Sequence, residues 1–197
     1  MRQSGESHGV SIVTDRLLLR DFREEDWQAA HAYRSDPEVA RFMYTHRTER
    51  PEQTRAWLAN VVRESREQPR VRYTLAIVLQ ADGRLIGQIG IGSSDEYPAD
   101  GEVGFGYMLH RDAWGQGYAS EAARGIVDFA FGVLGARQVS AWCFEANRAS
   151  ARVLEKAGLH VELREEGISP KSGQPRTSLR YTIFREAWRP TPTDPDA

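Results

Sequence analysis

Between Asp112 and Gly125 the chain reads DAWGQGYASEAARG, which puts two glycines, Gly115 and Gly117, directly ahead of a long amphipathic pattern. Ala119, Ala122, Ala123, Ile126, Val127, Ala130, Val133 and Leu134 fall on one stripe, with Glu121, Arg124 and Asp128 off it. Gly135 is suited to close this helix in the left-handed region. A stripe of that width has to be buried, so packing fixes the direction of the helix and of its first turn. The N–H groups of Gly117 to Ser120 have no partner within the helix and point out of its positive end. A helix start reached through glycines lets an anion approach bare backbone. From the stretch alone, a tight turn without a ligand accounts for the glycines equally well.

Two phosphate-binding patterns do not fit. The dinucleotide fingerprint needs a third glycine where Ser120 stands, and the strands ahead read as antiparallel rather than as part of a βαβ unit. A P-loop needs Gly-Lys-Ser/Thr where the chain has Gly117, Tyr118 and Ala119.

Strand and helix patterns alternate through the rest of the chain. RLLLRDF (16–22) reads as a strand. In the helical segment after it, Trp27, Ala30 and Tyr33 share a face. Pro51 opens a second helix, with Trp57, Val61 and Val62 on one side. RYTLAIVL and RLIGQIGI are β-rich runs joined at Ala81-Asp82-Gly83, a hairpin signal. GEVGFGYMLH (101–110), QVSAWCFE (138–145) and TSLRYTIF (177–184) are further strands, and NRASARVLEKA (147–157) is a helix ended by Gly158.

A length of 197 residues suits one domain over 14–188, with a flexible start (1–13) and a Pro-rich, disordered tail (189–197). A net charge of −2, from 26 basic and 28 acidic residues, argues against a nucleic-acid binder. The single cysteine, Cys143, excludes an internal disulfide framework and reads as a small buried hydrophobe rather than a nucleophile. His31, His46 and His160 have no partners at metal-ligand spacing, so no metal is expected. The N-terminus lacks a signal-peptide apolar region and no run is long enough to span a membrane, which makes a cytoplasmic location the expectation. The acidic run SSDEYPADGE is either an attractor for a cationic substrate or a solvated loop.

RLLLRDFREEDW, SDPEVARF, GRLIGQIGI, EVGFGYMLHRDAWGQGYASEAARGIVDFAF and NRASARVLEKAGL together resemble the GNAT superfamily of N-acetyltransferases, most closely its RimJ/RimL-like branch, over roughly residues 14 to 188. The resemblance implies a mixed α/β (α+β) GNAT fold: a mostly antiparallel twisted sheet of about seven strands, about four flanking helices, and a splay between the fourth and fifth strands. It implies acetyl-CoA as co-substrate, an amine acceptor, and a monomer or homodimer. The superfamily's phosphate-loop pattern lands on Trp114, Gly117 and Ala119. Trp114 departs from the usual Arg or Gln, as this branch does, and leaves backbone amides to hold the pyrophosphate. Gly115, Gln116, Gly117, Tyr118, Ala119 and Ser120 are the implied phosphate loop, and Met108, Leu109 and His110 the strand that pairs with the pantetheine arm.

Asn147 is an N-cap by position and, by resemblance, also reaches the cofactor. Ser150, one turn on, is placed near the thioester sulfur or is simply a polar first-turn residue. The Leu109 amide is the natural oxyanion donor. Glu102 shares a strand face with Gly104, Gly106 and Met108, and is either the base for the amine or an exposed strand-end acid. Leu154 stands where many relatives carry a Tyr general acid, so the leaving thiolate needs another proton source. Tyr107 and Tyr118 read as packing or cofactor-contact residues. The activity implied is acetyl transfer to an amine, foremost a protein N-terminal α-amine. A small-molecule amine or a non-catalytic CoA-binding sensor are the alternatives.

Overall fold

The computed structural model of the chain describes residues 9–43, 48–92, 101–169 and 173–190. Eight strands form one sheet: β1 (Ser11–Val13), β2 (Leu17–Asp21), β3 (Arg72–Leu79), β4 (Leu85–Gly92), β5 (Glu102–Leu109), β6 (Gln138–Phe144), β7 (His160–Ile168) and β8 (Pro175–Phe184). Their order is β1-β2-β3-β4-β5-β6-β8-β7. Every neighbouring pair is antiparallel except β5 and β6. Two of these strands are not among the segments read as strands in the sequence: β7, which pairs with β8, and β1, which pairs Ser11 with Arg20, so the sheet begins inside the segment expected to be flexible. Residues 191–197 of the expected tail and residues 93–100 of the acidic run lie outside the described residues.

Among the described residues five α-helices flank this sheet: α1 (Trp27–Arg34), α2 (Pro37–Ala40), α3 (Pro51–Glu64), α4 (Tyr118–Gly132) and α5 (Arg148–Lys156). The sequence pattern reads the first two as one helix. Pro37 divides them, because a residue before proline is pushed out of the helical region. Asp36 sits at ψ 121 and its carboxylate accepts the Glu38 N–H to start α2. The hairpin signal is met by Gly83 at φ +71 between β3 and β4. Gly135 takes φ +70 just past α4, as the closing glycine of that helix.

The sheet separates two apolar layers. On one face α4 and α5 bury Ala122, Ala123, Ile126, Ala130 and Leu154 against Leu17, Leu75, Ile89, Phe105 and Val139. On the other, α1 and α3 bury Ala30, Tyr33, Leu58 and Val61 against Ala76, Val78 and Met108. Val133, expected on the α4 stripe, lies beyond the last helical turn and is 71% exposed.

The position of the site follows from one short ladder. β5 and β6 pair in parallel only at Glu102–Gln138, Val103–Val139 and Gly104–Ser140, and beyond Gly104 they part. β4 instead accompanies β5 as far as Leu109. The chain passes from β5 through α4 to the parallel β6, so the glycine turn does open a βαβ crossover, contrary to the antiparallel reading. Ser120 in the third position is then what separates this turn from a dinucleotide fingerprint.

Candidate active site

Where β5 and β6 part, a cavity of about 920 Å³ opens. It is lined from both faces of the sheet: by Phe105, Tyr107, Leu109, Ala141 and Cys143 on the α4–α5 side, and by Gly104, Gly106, Met108, Ser140 and Trp142 on the other. The cavity therefore passes between the strands rather than lying on one surface. Glycine at 106 keeps the passage wide, since a Cβ there would meet nothing within 4 Å.

The mouth on the helix side is the glycine loop. Gly115 and Gly117 take φ +74 and +83, a region that L side chains avoid, and Gly117 is the left-handed residue from which α4 departs. Both line the cavity together with Trp114, Tyr118, Ala119 and Ser120. No side chain caps α4, so its first N–H groups remain to face that mouth. The indole Nε1–H of Trp114 donates to the Leu109 carbonyl at 3.0 Å, which ties the loop to the end of β5 and spends that group's only donor. Backbone amides are thus what Trp114 and its glycines leave for an anion.

The backbone of β5 divides its polar groups between two neighbours. His110 donates its N–H to the Ile86 carbonyl at 2.8 Å, and strand alternation sends the amides of Tyr107 and Leu109 the other way, into the splay. Of the residues expected to make the strand contacts, Met108 and Leu109 line the cavity and His110 does not. Leu109 faces the cavity with its amide and Met108 lines it with its side chain, while His110 is turned to β4 and its Nδ1 accepts the Asp112 N–H. Gln116 is also absent from the cavity wall, and its carbonyl points outward.

Asn147 and Ser150 line the wall opposite β5. Asn147 caps α5, its Oδ1 accepting the Ser150 N–H at 3.1 Å. The Ser150 hydroxyl is in turn held by Tyr107, whose hydroxyl donates to it at 3.0 Å. Burial pushes the Tyr107 phenol up to about 12, so it stays a hydrogen-bond donor at neutral pH. This partnership was missed in the sequence, because it joins residues 43 apart; period 2 alone places Tyr107 beside Phe105 and Leu109. Leu154 is buried against the same wall and has no proton to give. Cys143 also faces the cavity. Burial pushes its thiol up to about 11, so it is not a thiolate nucleophile.

On the far face, Glu102 shares its side with Gly104 and Gly106 as period 2 requires, but it sits at the closed end of the splay. Its Oε1 accepts the Ser140 hydroxyl at 2.8 Å and forms an ion pair with Arg180, which also approaches Glu162 at 3.5 Å. Glu102 itself is not part of the cavity wall, whereas Ser140 is. Around that mouth stand Val39, Phe42 and Met43, with Trp142, Glu165 and Arg176 across from them. Neither Ser140 nor Glu165 was singled out by sequence, since nothing local marks a strand residue as facing a gap.

His31 bonds Thr54 through Nδ1 at 2.8 Å, a packing role, and among the described residues no cluster of three or more His, Cys, Asp or Glu could hold a metal ion. No helix among them is long and apolar enough to cross a membrane.

Residues 16–160 match the family model described as the Acetyltransferase (GNAT) domain. The chain is 28% identical to the uncharacterized N-acetyltransferase YnaD of Bacillus subtilis, over 91% of this chain and 99% of YnaD. Its fold is similar to the crystal structure of a GNAT-family acetyltransferase from Bacillus anthracis, at 25% identity and TM-score 0.77, covering 90% of this chain and 99% of that one. It is similar in fold also to Mycobacterium smegmatis RimJ in complex with CoA-disulfide, at 20% identity and TM-score 0.77, covering 90% and 87%.

Proposed function

Because the chain belongs to the GNAT family and is an N-acetyltransferase, we propose that it transfers an acetyl group from acetyl-CoA to a protein N-terminal α-amine, with both substrates held at once. The observation that carries this reading is the passage through the sheet. Its helix-side mouth offers bare amides to a phosphate, its opposite mouth is polar and aromatic, and the two meet at the splay. The RimJ/RimL-like sequence pattern, together with the fold likeness to RimJ, supports an α-amine as acceptor.

The residues fit acetyl-CoA where it matters. Gly115 has open space where a Cβ would stand, and the amides from Gly115 to Ser120, at the positive end of α4, would hold the pyrophosphate. The splay-facing amides of Tyr107 and Leu109 take the place of the missing strand contacts, with Leu109 as the donor for charge developing on the acyl oxygen. Asn147 reaches the cofactor from the cap of α5. When bound, acetyl-CoA would supply the acyl thioester that the amine attacks.

Attack by the amine nitrogen forms an N–C bond and breaks the C–S bond; the nitrogen gives up a proton and the sulfur takes one. On this reading Ser140 passes the amine's proton to Glu102, directly or through water, which the hydrogen bond from its hydroxyl to Glu102 supports. Ser150, polarised by the Tyr107 hydroxyl, is the donor to sulfur in place of the absent tyrosine at 154. Release of coenzyme A, followed across N-terminal peptides, N-terminally blocked lysine peptides and small amines, tests the reading. Turnover confined to polyamines or aminoglycosides overturns the acceptor, and CoA binding without turnover on any amine overturns catalysis.

A further inference from the structure

The phosphate loop is held from behind by a residue 100 positions away in sequence. Arg16, immediately before β2, donates from Nη1 to the Gln116 carbonyl at 3.1 Å and lies 4.6 Å from the centroid of the Tyr118 ring. Its Nε and Nη2 meet Glu121 Oε2 at 2.7 and 2.6 Å, and its own backbone N–H donates to Glu121 Oε1 at 2.7 Å. Thr14 adds a hydroxyl bond to the same Oε1 at 2.6 Å. Burial works against ionisation of Glu121, yet the bonds from Thr14 and Arg16 outweigh it and hold its carboxyl below the ordinary range. The pair is therefore charged on both sides, close to neutral in sum, and fixed in orientation.

Orientation is what the loop needs. In a trans peptide the C=O and N–H point in opposite directions. With the Gln116 carbonyl drawn outward to Arg16, the N–H of Gly117 is turned inward, and Gly117 lines the cavity while Arg16 does not. The plane turns on the φ of Gly117, and a glycine there gives it little resistance to rotation by itself. A rotated plane would aim a carbonyl oxygen at the phosphate. A Cβ on Gly117 would lie 3.4 Å from Arg16 Nη2, so the guanidinium also occupies the space behind the glycine.

We propose that Arg16 is the positioning residue of the phosphate loop: it sets the Gln116–Gly117 peptide so that its amide faces the cofactor phosphates, and Glu121 and Thr14 hold Arg16 in place. The inference rests on the assignment of this loop to acetyl-CoA. It is tested with two thioesters, acetyl-CoA and S-acetyl-pantetheine, which lacks the phosphates, against an amine that the wild-type protein acetylates.

The wild type favours acetyl-CoA in kcat/KM. Arg16→Ala loses about tenfold with acetyl-CoA, carried by KM, and nothing with S-acetyl-pantetheine. Retained activity on the phosphate-free thioester shows in the same experiment that the variant is folded. Adding Glu121→Gln to Arg16→Ala does not restore affinity, since the lost element is the direction of an amide and not a cancelled charge. Equal losses on both thioesters, an unchanged KM for acetyl-CoA, or recovery in the double variant each overturn the role of Arg16. A wild type indifferent to the phosphates overturns the loop assignment, and this inference with it.

Discussion

Three polar side chains at the cavity, Ser140, Ser150 and Tyr107, work through partners, and those partners decide their chemistry. Ser140 is ordinary on its own but hydrogen-bonded to Glu102, whose other partner is Arg180. Glu102→Gln should lower turnover at least tenfold with little change in KM for acetyl-CoA, and the deficit should shrink as pH rises past about 8, where α-amines are already neutral. Glu165→Gln serves as the comparison, because Glu165 lines the same mouth without the serine relay; a larger loss there would move the base to β7. Cys143 and Tyr107 make a second prediction. Both bind their proton more tightly folded than unfolded, so their contribution to stability is complete below the ordinary values of 9.0 and 10.0 and is lost as pH rises through about 11 and 12. Urea unfolding followed from pH 8 to 11 should show falling stability, with Cys143→Ala flattening the earlier part of the slope. None of these pairings could be read in the sequence. Glu102 and Ser140 are 38 apart and Tyr107 and Ser150 are 43 apart, and residue type does not say which faces meet.

Elements whose logic is local were legible in advance. The α4 stripe, the Gly83 hairpin and the Asn147 cap each depend on residues within a turn or two of one another, and apart from Val133 each stands where the pattern puts it. The division of the first helix at Pro37 was legible too, had the proline been weighed above the apolar spacing. What was not legible in the residues was the splay. It arises because β5 keeps β4 as a partner to Leu109 but keeps β6 only to Gly104, and that difference resides in the sheet rather than in any strand. The glycine at 106 belongs to the same feature. It has ordinary strand geometry and open space beside it, so a larger residue there is tolerated by the fold and not by the passage. Gly106→Val should unfold within a few degrees of the wild type while kcat/KM for acetyl transfer falls tenfold or more; a normal rate would show that substrates do not meet at this point of β5.

At the scale of the whole molecule, the sheet acts as a wall that opens between β5 and β6, and each layer of helices furnishes one side of the opening. α4 and α5 supply the glycine loop, Asn147 and Ser150, and the segment from α2 to Met43 closes the opposite mouth against β6, β7 and β8. Such an arrangement admits an acceptor end-on, and only its reactive amine has to reach the splay. The choice among amines then turns on which one arrives unprotonated. An α-amino group titrates about 2.5 units below a lysine side chain, so near pH 7 its neutral fraction is larger by about 2.5 factors of ten. Glu102, the proposed acceptor of the amine's proton, is already ion-paired to Arg180, so the fraction of amine that arrives neutral counts. Short peptides with a free, small N-terminal residue should therefore be acetylated faster than the same peptides blocked at the N-terminus and carrying lysine, with the advantage narrowing as pH approaches the lysine range. Measured rates of coenzyme A release on matched peptide pairs from pH 7 to 9.5 decide it. A blocked lysine peptide that reacts faster at every pH would show that the far mouth selects a long cationic side chain over a chain terminus, and the α-amine reading would fall while acetyl transfer stood.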